Sequence, residues 1–399
     1  MINLIQSPSS SIVDLQLSKE LTRTIKRGNP WIFADALRHC PPAPPGTPAR
    51  LLDKRKREIA RGYYDSNSTL AFRVCTIHKK EKPNNSWAKK QLRQAIHRRK
   101  FIDETQTTGY RLINGEGDGL PGLVCDIYAD TAVIKLDGPA ASNFWSAPAI
   151  AQWLKDELGL QRIYERERSR QQPRGQSLIG AAPVKPISFL ENGLTFTADI
   201  VRGQKTGFFL DQRENRQRIR QVAAEKRVLN MFGYTGGFSI YAGAGGATQV
   251  TTVDVAQPAL DTATDHWHLN QLPVNQHDTV AQDAFEFLAE AHTQTTWDLV
   301  ILDPPSFAPA KKAVPKAIRA YEALIQAGAT VTASQGMLAA ASCSSHITLA
   351  MFLEICESAI SQARRRATII DIAGQPMDHP SPLVLPEFRY LKFVLMMLD

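Results

Sequence analysis

Two segments near the end of the chain combine residue types that can act on a pyrimidine ring. Asp303 follows one apolar run, and Cys343 follows another 40 residues later. Carbon 5 of a pyrimidine is too weak a nucleophile to take a methyl group directly, whereas a thiolate that adds at carbon 6 makes it enamine-like. Cys343 is therefore a candidate covalent catalyst, with Asp303 holding the polar edge of a cytosine. A lone cysteine is more often a small buried apolar residue.

Two prolines after Asp303 favour a substrate slot at this position. Pro304 and Pro305 fix the backbone and donate no hydrogen bonds, so the Asp303 carboxylate faces outward over the strand end. Phe307 beyond them can line a slot for a flat base. The alternative is that the prolines only end the strand. We predict that Asp303 and Pro304 contact the cofactor, and that Pro305 and Phe307 contact the substrate.

A glycine-containing turn follows the first predicted strand of the C-terminal half. Glycines let the backbone turn sharply into a helix and approach a ligand closely. The predicted cofactor contacts in this turn are Phe232, Tyr234, Thr235, Gly236 and Gly237. The Gly-x-Gly-x-x-Gly spacing that cradles a pyrophosphate is absent, and S-adenosylmethionine has no phosphates. The turn therefore favours S-adenosylmethionine over NAD as the cofactor.

Aspartates also follow the next two predicted strands. Asp254 lies 17 residues after Gly237, where a carboxylate can accept hydrogen bonds from both ribose hydroxyls of an adenosine. Asp283 follows the third strand and either accepts from the adenine amino group or caps the next helix. The sequence leaves both roles of Asp283 open.

The segment from Gly203 to Arg216 lies just upstream of the turn. This segment has lysine, threonine and glycine before two phenylalanines. Placing such a run in a loop costs free energy unless a charged, flat ligand binds there. We assign Lys205 and Thr206 to the cofactor, and Lys205 and Arg213 to the substrate.

Strand and helix patterns alternate from about residue 196 onward. The apolar strand candidates are Arg227 to Phe232, Gln249 to Asp254, Trp297 to Asp303, Gly336 to Ser342, Ala367 to Ile372 and Tyr390 to Leu398. This alternation implies a parallel, doubly wound α/β sheet, whose ligands bind beyond the carboxyl ends of the strands. If the fourth and fifth strands are neighbours, Asp303 and Cys343 lie side by side.

Changes in composition and in the pattern of strands and helices divide the chain into three predicted domains. Residues 1–75 form a β-rich module of short strands and turns, residues 76–190 an α+β domain, and residues 191–399 the doubly wound sheet. Glu165 to Pro183 is rich in Arg, Gln, Gly and Pro, and we interpret it as an exposed connection.

Composition limits the partners of the chain. The formal net charge of +8 and the pI of about 9.2 favour a polyanionic partner, although charge does not separate RNA from DNA. The five cysteines are widely spaced without a Cys-x-x-Cys pair and the histidines are unclustered, so no metal site is predicted. The sequence contains neither a secretory signal pattern nor a long uncharged apolar stretch. We expect a cytoplasmic protein that does not enter a membrane.

At the residues quoted above, the chain closely resembles the ribosomal RNA large-subunit cytosine-5 methyltransferase I family. The matching segments are Gly28 to Phe33, Arg61 to Tyr64, Gly115 to Gly122, Gly203 to Arg213, Tyr234 to Ser239, Asp303 to Phe307 and Ser342 to Ser344. The resemblance implies an N-terminal RNA-binding PUA domain, a central domain and a C-terminal Rossmann-like class I methyltransferase domain, often in a homodimer. It also implies ribosomal RNA as the partner. The chain departs from the family at Ser345 and His346, where a glycine is usual, and at Asn230, where an acidic residue is commoner.

Other functions fit parts of the same pattern. A methyltransferase for a ring or exocyclic nitrogen also carries Asp-Pro-Pro followed by an aromatic residue, and there Cys343 would be dispensable. A noncatalytic RNA-binding or assembly factor could retain the fold, although the intact acidic residues Asp254, Asp283 and Asp303 argue against it. An NAD-dependent oxidoreductase fits worst, because the pyrophosphate loop is absent.

Overall fold

The chain folds into two compact units. The structure is a computed structural model that describes residues 3–6, 11–167, 174–291 and 295–399. The first unit comprises Met1–Leu190, Thr197–Leu210 and Met377–Leu385, and the second comprises Glu191–Phe196, Asp211–Pro376 and Pro386–Asp399. The predicted boundary between residues 75 and 76 lies inside the first unit, and the boundary between 190 and 191 coincides with a change of unit. The three-domain division stays a prediction.

Two five-stranded sheets form the framework of the first unit. Its strands and helices are β1 (Val13–Gln16), α1 (Thr22–Lys26), β2 (Trp31–Phe33), β3 (Thr47–Leu52), β4 (Glu58–Tyr64), β5 (Leu70–Thr76), α2 (Asn85–Arg98), β6 (Gly109–Asn114), β7 (Leu123–Tyr128), β8 (Thr131–Leu136), α3 (Gly138–Phe144), α4 (Ala147–Leu158), β9 (Arg162–Glu167) and β10 (Arg174–Ile179). The strand orders are β1-β3-β4-β5-β2 and β10-β9-β8-β7-β6. Alternate residues of β3 are buried, as expected for a strand with one face on a core. The β-rich N-terminal module is therefore confirmed.

The stretch from Glu165 to Pro183 contains strands rather than only an exposed connection. β9 and β10 pair in antiparallel fashion, with Arg174 opposite Glu167 and Ile179 opposite Ile163. Residues 168–173 of the predicted connection lie outside the described residues. The prediction failed because β10 is an edge strand of its sheet, and an edge strand can carry polar and charged side chains.

Residues of the segment Met377–Leu385 are held within the first unit although they lie near the end of the chain. Arg99 Nη2 donates to the Asp378 carbonyl at 2.8 Å, and the Arg111 amide donates to the Asp378 carboxylate at 2.9 Å. Asn114 Nδ2 donates to the Pro380 carbonyl at 2.8 Å. These hydrogen bonds hold a late segment of the chain in the first unit, most of whose residues come from the N-terminal half of the sequence.

One seven-stranded sheet forms the framework of the second unit. Before it, β11 (Ile187–Glu191) and β12 (Leu194–Ala198) form a separate two-stranded sheet. The following elements are α5 (Arg213–Val222), β13 (Arg227–Met231), α6 (Gly237–Ala244), β14 (Gln249–Asp254), α7 (Gln257–Leu269), β15 (His277–Ala281), α8 (Ala284–Ala291), β16 (Trp297–Leu302), α9 (Val314–Val331), β17 (Thr332–Ser342), α10 (Leu349–Gln362), β18 (Ala367–Ala373) and β19 (Lys392–Leu398). None of the helices in the described ranges has both the length and the apolar character needed to cross a bilayer.

The strand order of this sheet is β15-β14-β13-β16-β17-β19-β18. The strands from β13 to β17 pair in parallel, which confirms the predicted doubly wound arrangement. β19 is antiparallel to both of its neighbours, so the prediction of a wholly parallel sheet is wrong for this strand. Parallel neighbours need a crossover, usually a helix, whereas residues 374–391 before β19 contain only a short 3₁₀ turn.

Candidate active site

The turn between β13 and α6 has an uncommon backbone conformation. Phe232, Tyr234 and Gly236 have φ angles of 57°, 47° and 77°. A Cβ atom on Gly236 would lie 2.7 Å from the Cβ of Ala263 on α7, so a side chain does not fit there. Non-glycine residues at positive φ carry a steric cost, and such residues cluster at ligand-binding and active sites.

Asp254 holds this turn from the end of the neighbouring strand β14. Its Oδ2 accepts from the Tyr234 amide at 2.9 Å, and its Oδ1 accepts from the Ala256 amide at 3.0 Å. Each carboxylate oxygen has two lone pairs and can therefore accept a second hydrogen bond. The half-buried Asp254 can thus serve the two hydroxyls of a ribose while it positions the turn.

His266 of α7 holds the same turn at Thr235. Its Nδ1 lies 2.8 Å from the Thr235 carbonyl, and burial lowers the pKa of His266. The neutral ring donates one N–H, so Nδ1 is the donor to this carbonyl. No pattern in the sequence marks His266 for this role, because the contact joins positions 31 residues apart.

A chain of polar side chains runs from β13 through α6 and β14 to β15. Asn230 Nδ2 donates to Ser239 Oγ at 2.8 Å, and Ser239 Oγ lies 2.6 Å from Thr252 Oγ1. Thr252 Oγ1 in turn lies 2.8 Å from His277 Nε2. Asn230 Oδ1 is buried and has no hydrogen-bond partner among the residues described. Because buried polar atoms are rarely left unpaired, this oxygen fits an acceptor for a polar group of a ligand at the turn.

Replacement of His277 by glutamine is expected to make the protein less sensitive to acid. Burial lowers the pKa of His277 to about 4, an effect that Asp278 opposes and His268 reinforces. Since this lies below the ordinary value of 6.5, the unfolded state takes up the proton first as the pH falls. The contribution of His277 to the free energy of unfolding is fully present above pH 6.5. It is lost as the pH falls towards about 4, by up to about 3 kcal/mol.

Unfolding measured at several pH values between 7 and 4 tests this expectation. The His277→Gln variant should lose less unfolding free energy over that range than the wild type does. His78→Gln replaces an exposed histidine and provides the matched control. The same pH dependence in all three proteins would show that His277 does not contribute.

Asp283 caps α8. Its Oδ1 accepts from the amides of Phe285 at 2.8 Å and Glu286 at 3.3 Å. The structure therefore confirms the capping interpretation of this exposed residue. Its contact with an adenine amino group stays a prediction.

Asp303 follows β16 and is held by a buried amide. Gln212 Nε2 donates to Asp303 Oδ1 at 2.9 Å, and Asn215 Nδ2 donates to Gln212 Oε1 at 2.6 Å. The two bonds fix the Gln212 amide so that its N–H₂ group faces the carboxylate. Pro304 is buried and Pro305 is exposed.

Ser344 connects the segment after β16 to the turn after β17. Its Oγ lies 2.9 Å from Ser306 Oγ and 3.1 Å from Tyr321 Oη, and it accepts from the Ala308 amide at 3.3 Å. The two strands are parallel neighbours, with Leu302 opposite Ala340. The predicted adjacency of these strand ends is confirmed, so Asp303 and Cys343 follow neighbouring strands at one sheet edge.

Cys343 differs from the buried cysteines of the chain. Cys125 and Cys356 are buried, whereas Cys343 is half-buried. Burial raises the pKa of Cys356 to about 12 and raises the pKa of Cys125 as well, so neither forms a thiolate at neutral pH. All five cysteines carry unbridged thiols. Of these three, Cys343 is the one that is partly exposed.

Phe307 packs on a buried tyrosine. Its ring centroid lies 4.7 Å from that of Tyr321, at an interplanar angle of 52°. The half-buried Phe307 therefore has a packing role, and its contact with a substrate base stays a prediction.

Comparison with known protein families decides the class of this site. Residues 141–361, more than half of the 399 residues, match the family described as S-adenosylmethionine-dependent methyltransferase. The chain belongs to this family. S-adenosylmethionine is therefore the cofactor of the methyltransferase, as the turn without a pyrophosphate spacing predicted. Residues 15–76, which include most of the first sheet, match a PUA-like domain family and confirm the predicted fold class.

Relatives of the methyltransferase match it over most of its length. A Deinococcus radiodurans protein named ribosomal RNA large subunit methyltransferase is 37% identical over 98% of this chain and 100% of its own. Ribosomal RNA large subunit methyltransferase I of Photobacterium profundum is 36% identical over 95% of this chain and 97% of its own. The structure of a candidate SAM-dependent methyltransferase from Streptococcus mutans has a TM-score of 0.84 at 24% identity, over 97% of this chain and 100% of its own. That likeness shows a shared fold.

The segment from Gly203 to Arg213 crosses from the first unit of the methyltransferase into the second. Thr206 is 2% exposed, and its Oγ1 donates to Asp126 Oδ2 at 2.5 Å and lies 3.0 Å from Tyr128 Oη. Lys205 Nζ lies 4.4 Å above the Phe209 ring. Arg213 belongs to the second unit and is 3% exposed. These contacts give the segment an internal structural role, and its contacts with cofactor and substrate stay predictions.

Replacement of Asp254 by asparagine is expected to weaken S-adenosylmethionine binding by about 10- to 100-fold. Hydrogen bonds to charged groups contribute about 1.5–3 kcal/mol, and the amide replaces one acceptor oxygen by a donor. Isothermal titration calorimetry measures the change. Asp261→Asn is the matched control, because Asp261 is exposed on α7 and accepts from Gln257 at 2.7 Å. Equal affinity of the Asp254 and Asp261 variants would contradict the ribose assignment.

Proposed function

We propose that the methyltransferase forms 5-methylcytidine in large-subunit ribosomal RNA through a covalent adduct of Cys343. The observation that carries the proposal is the set of Ser344 hydrogen bonds, which ties the segment after Asp303 to the turn that holds Cys343. Relatives named ribosomal RNA large subunit methyltransferase I support ribosomal RNA as the substrate. The net charge of +8 suits a polyanionic partner.

The cofactor lies at the turn after β13 in this proposal. S-adenosylmethionine, when bound, supplies the methyl group that carbon 5 of the cytosine receives. Asp254 accepts from the ribose hydroxyls, Asp283 accepts from the adenine amino group, and Asn230 Oδ1 offers a buried acceptor. The remaining proposed contacts are Phe232, Tyr234, Thr235, Gly236, Gly237, Asp303 and Pro304, together with Lys205 and Thr206.

Cys343 acts on the base as a thiolate. Its Sγ bonds to carbon 6 of the cytosine, and the electron pair of the 5,6 double bond makes carbon 5 nucleophilic. After carbon 5 has been methylated, a base takes its proton, the double bond forms again, and the bond between Sγ and carbon 6 breaks. The thiolate is thereby regenerated.

Asp303 positions the ring during these steps. Its carboxylate accepts a hydrogen bond from the exocyclic amino group of the cytosine, and the Gln212 amide keeps the carboxylate in place. Pro305 and Phe307 contact the base, and Lys205 and Arg213 contact the substrate in the same proposal.

Methyl transfer to protein-free ribosomal RNA tests this function. Labelled S-adenosylmethionine is incubated with large-subunit RNA, and with small-subunit RNA as the control, and the nucleosides are then separated. We expect the label in 5-methylcytidine of the large-subunit RNA. Label in a nitrogen-methylated nucleoside would contradict carbon 5 as the target. Unlabelled RNA in the presence of cofactor binding would favour a noncatalytic RNA-binding protein.

A homodimer and a cytoplasmic location belong to the same proposal, because the family resemblance implies them. Sedimentation equilibrium is expected to give twice the chain mass of 44.2 kDa. A mass equal to that of one chain would contradict the homodimer.

A further inference from the structure

Lys392 is a buried lysine beside the turn that carries Cys343. It is the first residue of β19, pairs with Ser342 at the end of β17, and is 3% exposed. Its Nζ donates to the Ser344 carbonyl at 2.6 Å and to the Tyr390 carbonyl at 2.7 Å. Because Ser344 directly follows Cys343, the ammonium is bound to the backbone next to that cysteine.

The hydrogen bonds of Lys392 do not supply a negative charge to its ammonium. Both of its acceptors are neutral carbonyls, and a buried cation is costly without a nearby anion. Burial lowers the pKa of Lys392 to about 8, and the charge of Cys343 acts in the opposite direction. The interaction between two titrating groups is mutual. A Cys343 thiolate that stabilises the Lys392 ammonium is stabilised by that ammonium to the same extent.

Other titratable groups lie around the same turn. Tyr321 of α9 bonds to Ser344 and to Ser342; burial raises its pKa, and so does the charge of Cys343. Asp303 directly follows β16, Asp211 accepts from Tyr390 Oη at 2.6 Å, and His346 follows in the turn itself. Among these groups Lys392 is the only lysine or arginine.

We propose that Lys392 is a positioning residue for Cys343, whose ammonium holds the Ser344 carbonyl and stabilises the thiolate of Cys343. The inference rests on the proposed function, because that function makes Cys343 the nucleophile. The ammonium does not transfer its proton and forms no covalent bond. It raises the fraction of Cys343 that is ready to attack carbon 6.

The pH dependence of cysteine alkylation tests this role without RNA or methyl transfer. Full-length wild type, Lys392→Met and Lys392→Arg are treated with iodoacetamide between pH 6 and pH 10, and the Cys343 peptide is quantified by mass spectrometry. The Cys40 peptide of the same chain is the internal control. Calorimetric binding of S-adenosylmethionine shows that each variant is folded.

We expect half-maximal alkylation of Cys343 in the wild type below about pH 8.5, the ordinary thiol value. Lys392→Met is expected to raise this pH by about one unit, which lowers the alkylation rate at pH 7 about tenfold. Lys392→Arg keeps the charge and should restore most of the difference. A merely structural lysine would leave the pH profile unmoved.

Two results would overturn the inference. One is an unchanged pH profile in folded Lys392→Met, and the other is a wild-type profile at or above about pH 8.5, which is decisive even where the variant does not fold. Failure of the proposed function would give a different result in a different experiment, because Cys343→Ala would then still methylate RNA. The alkylation profile is independent of that result.

Discussion

A Cys343→Ala variant is expected to lose methyl transfer to ribosomal RNA by roughly 10⁴-fold or more. Without the thiol no bond forms at carbon 6, so carbon 5 is never activated. The affinity for S-adenosylmethionine should change by less than about twofold, since the proposed adenosine contacts come from the strands β13 to β15. The measurements are kcat/KM with protein-free large-subunit RNA and calorimetric binding of the cofactor.

Two controls separate nucleophilic catalysis from a general effect of losing a cysteine. Cys40→Ala removes another half-buried thiol, from the first unit, and should retain wild-type activity. RNA that contains 5-fluorocytidine should trap the wild type as a complex that survives denaturing electrophoresis, because carbon 5 then has no proton to lose. Cys343→Ala should not be trapped. Substantial methylation by Cys343→Ala would contradict the covalent mechanism and favour nitrogen methylation.

The sequence could predict the residues that follow strand ends. Asp254, Asp303 and Cys343 each lie at or just after the end of a strand candidate, and Leu299 to Leu302 before Asp303 is a continuous apolar run, which is typical of a buried parallel strand. Because the carboxyl ends of parallel strands meet at one edge of a sheet, their positions along the chain are enough to group them. The pairing of β16 with β17 confirmed this step.

The sequence could not predict the polar side chains that hold these residues. Gln212 bonds to Asp303 across 91 positions, and Tyr321 bonds to Ser344 from the interior of a helix. Lys392 bonds to the Ser344 carbonyl across 48 positions. Neither hydrophobic periodicity nor motif spacing reports such contacts, because each depends on where two distant elements come together. Burial of Thr206 beside Asp126 and Tyr128 depends on the fold in the same way.

An Asp303→Asn variant is expected to lower kcat for methyl transfer by about 10²- to 10³-fold. Gln212 donates to Oδ1 of Asp303, so the asparagine carbonyl can keep that bond. Its amide nitrogen then replaces Oδ2, and an N–H₂ donor cannot accept from the amino group of a cytosine. The variant should therefore fold normally and bind RNA, yet hold the base poorly. Steady-state kinetics with separate titration of RNA and cofactor measures the effect.

Asp298→Asn is the matched control for Asp303→Asn. Asp298 lies near the opposite end of the same strand, is half-buried as well, and accepts from the Arg227 amide at 2.8 Å. Its replacement should leave kcat within about twofold, since a surface substitution away from the site rarely matters. A loss confined to KM for S-adenosylmethionine in Asp303→Asn would assign this carboxylate to the cofactor. A wild-type kcat in Asp303→Asn would instead contradict the role of Asp303 in holding the cytosine. The bond from Cys343 to the ring would then be enough to position the base without a carboxylate acceptor.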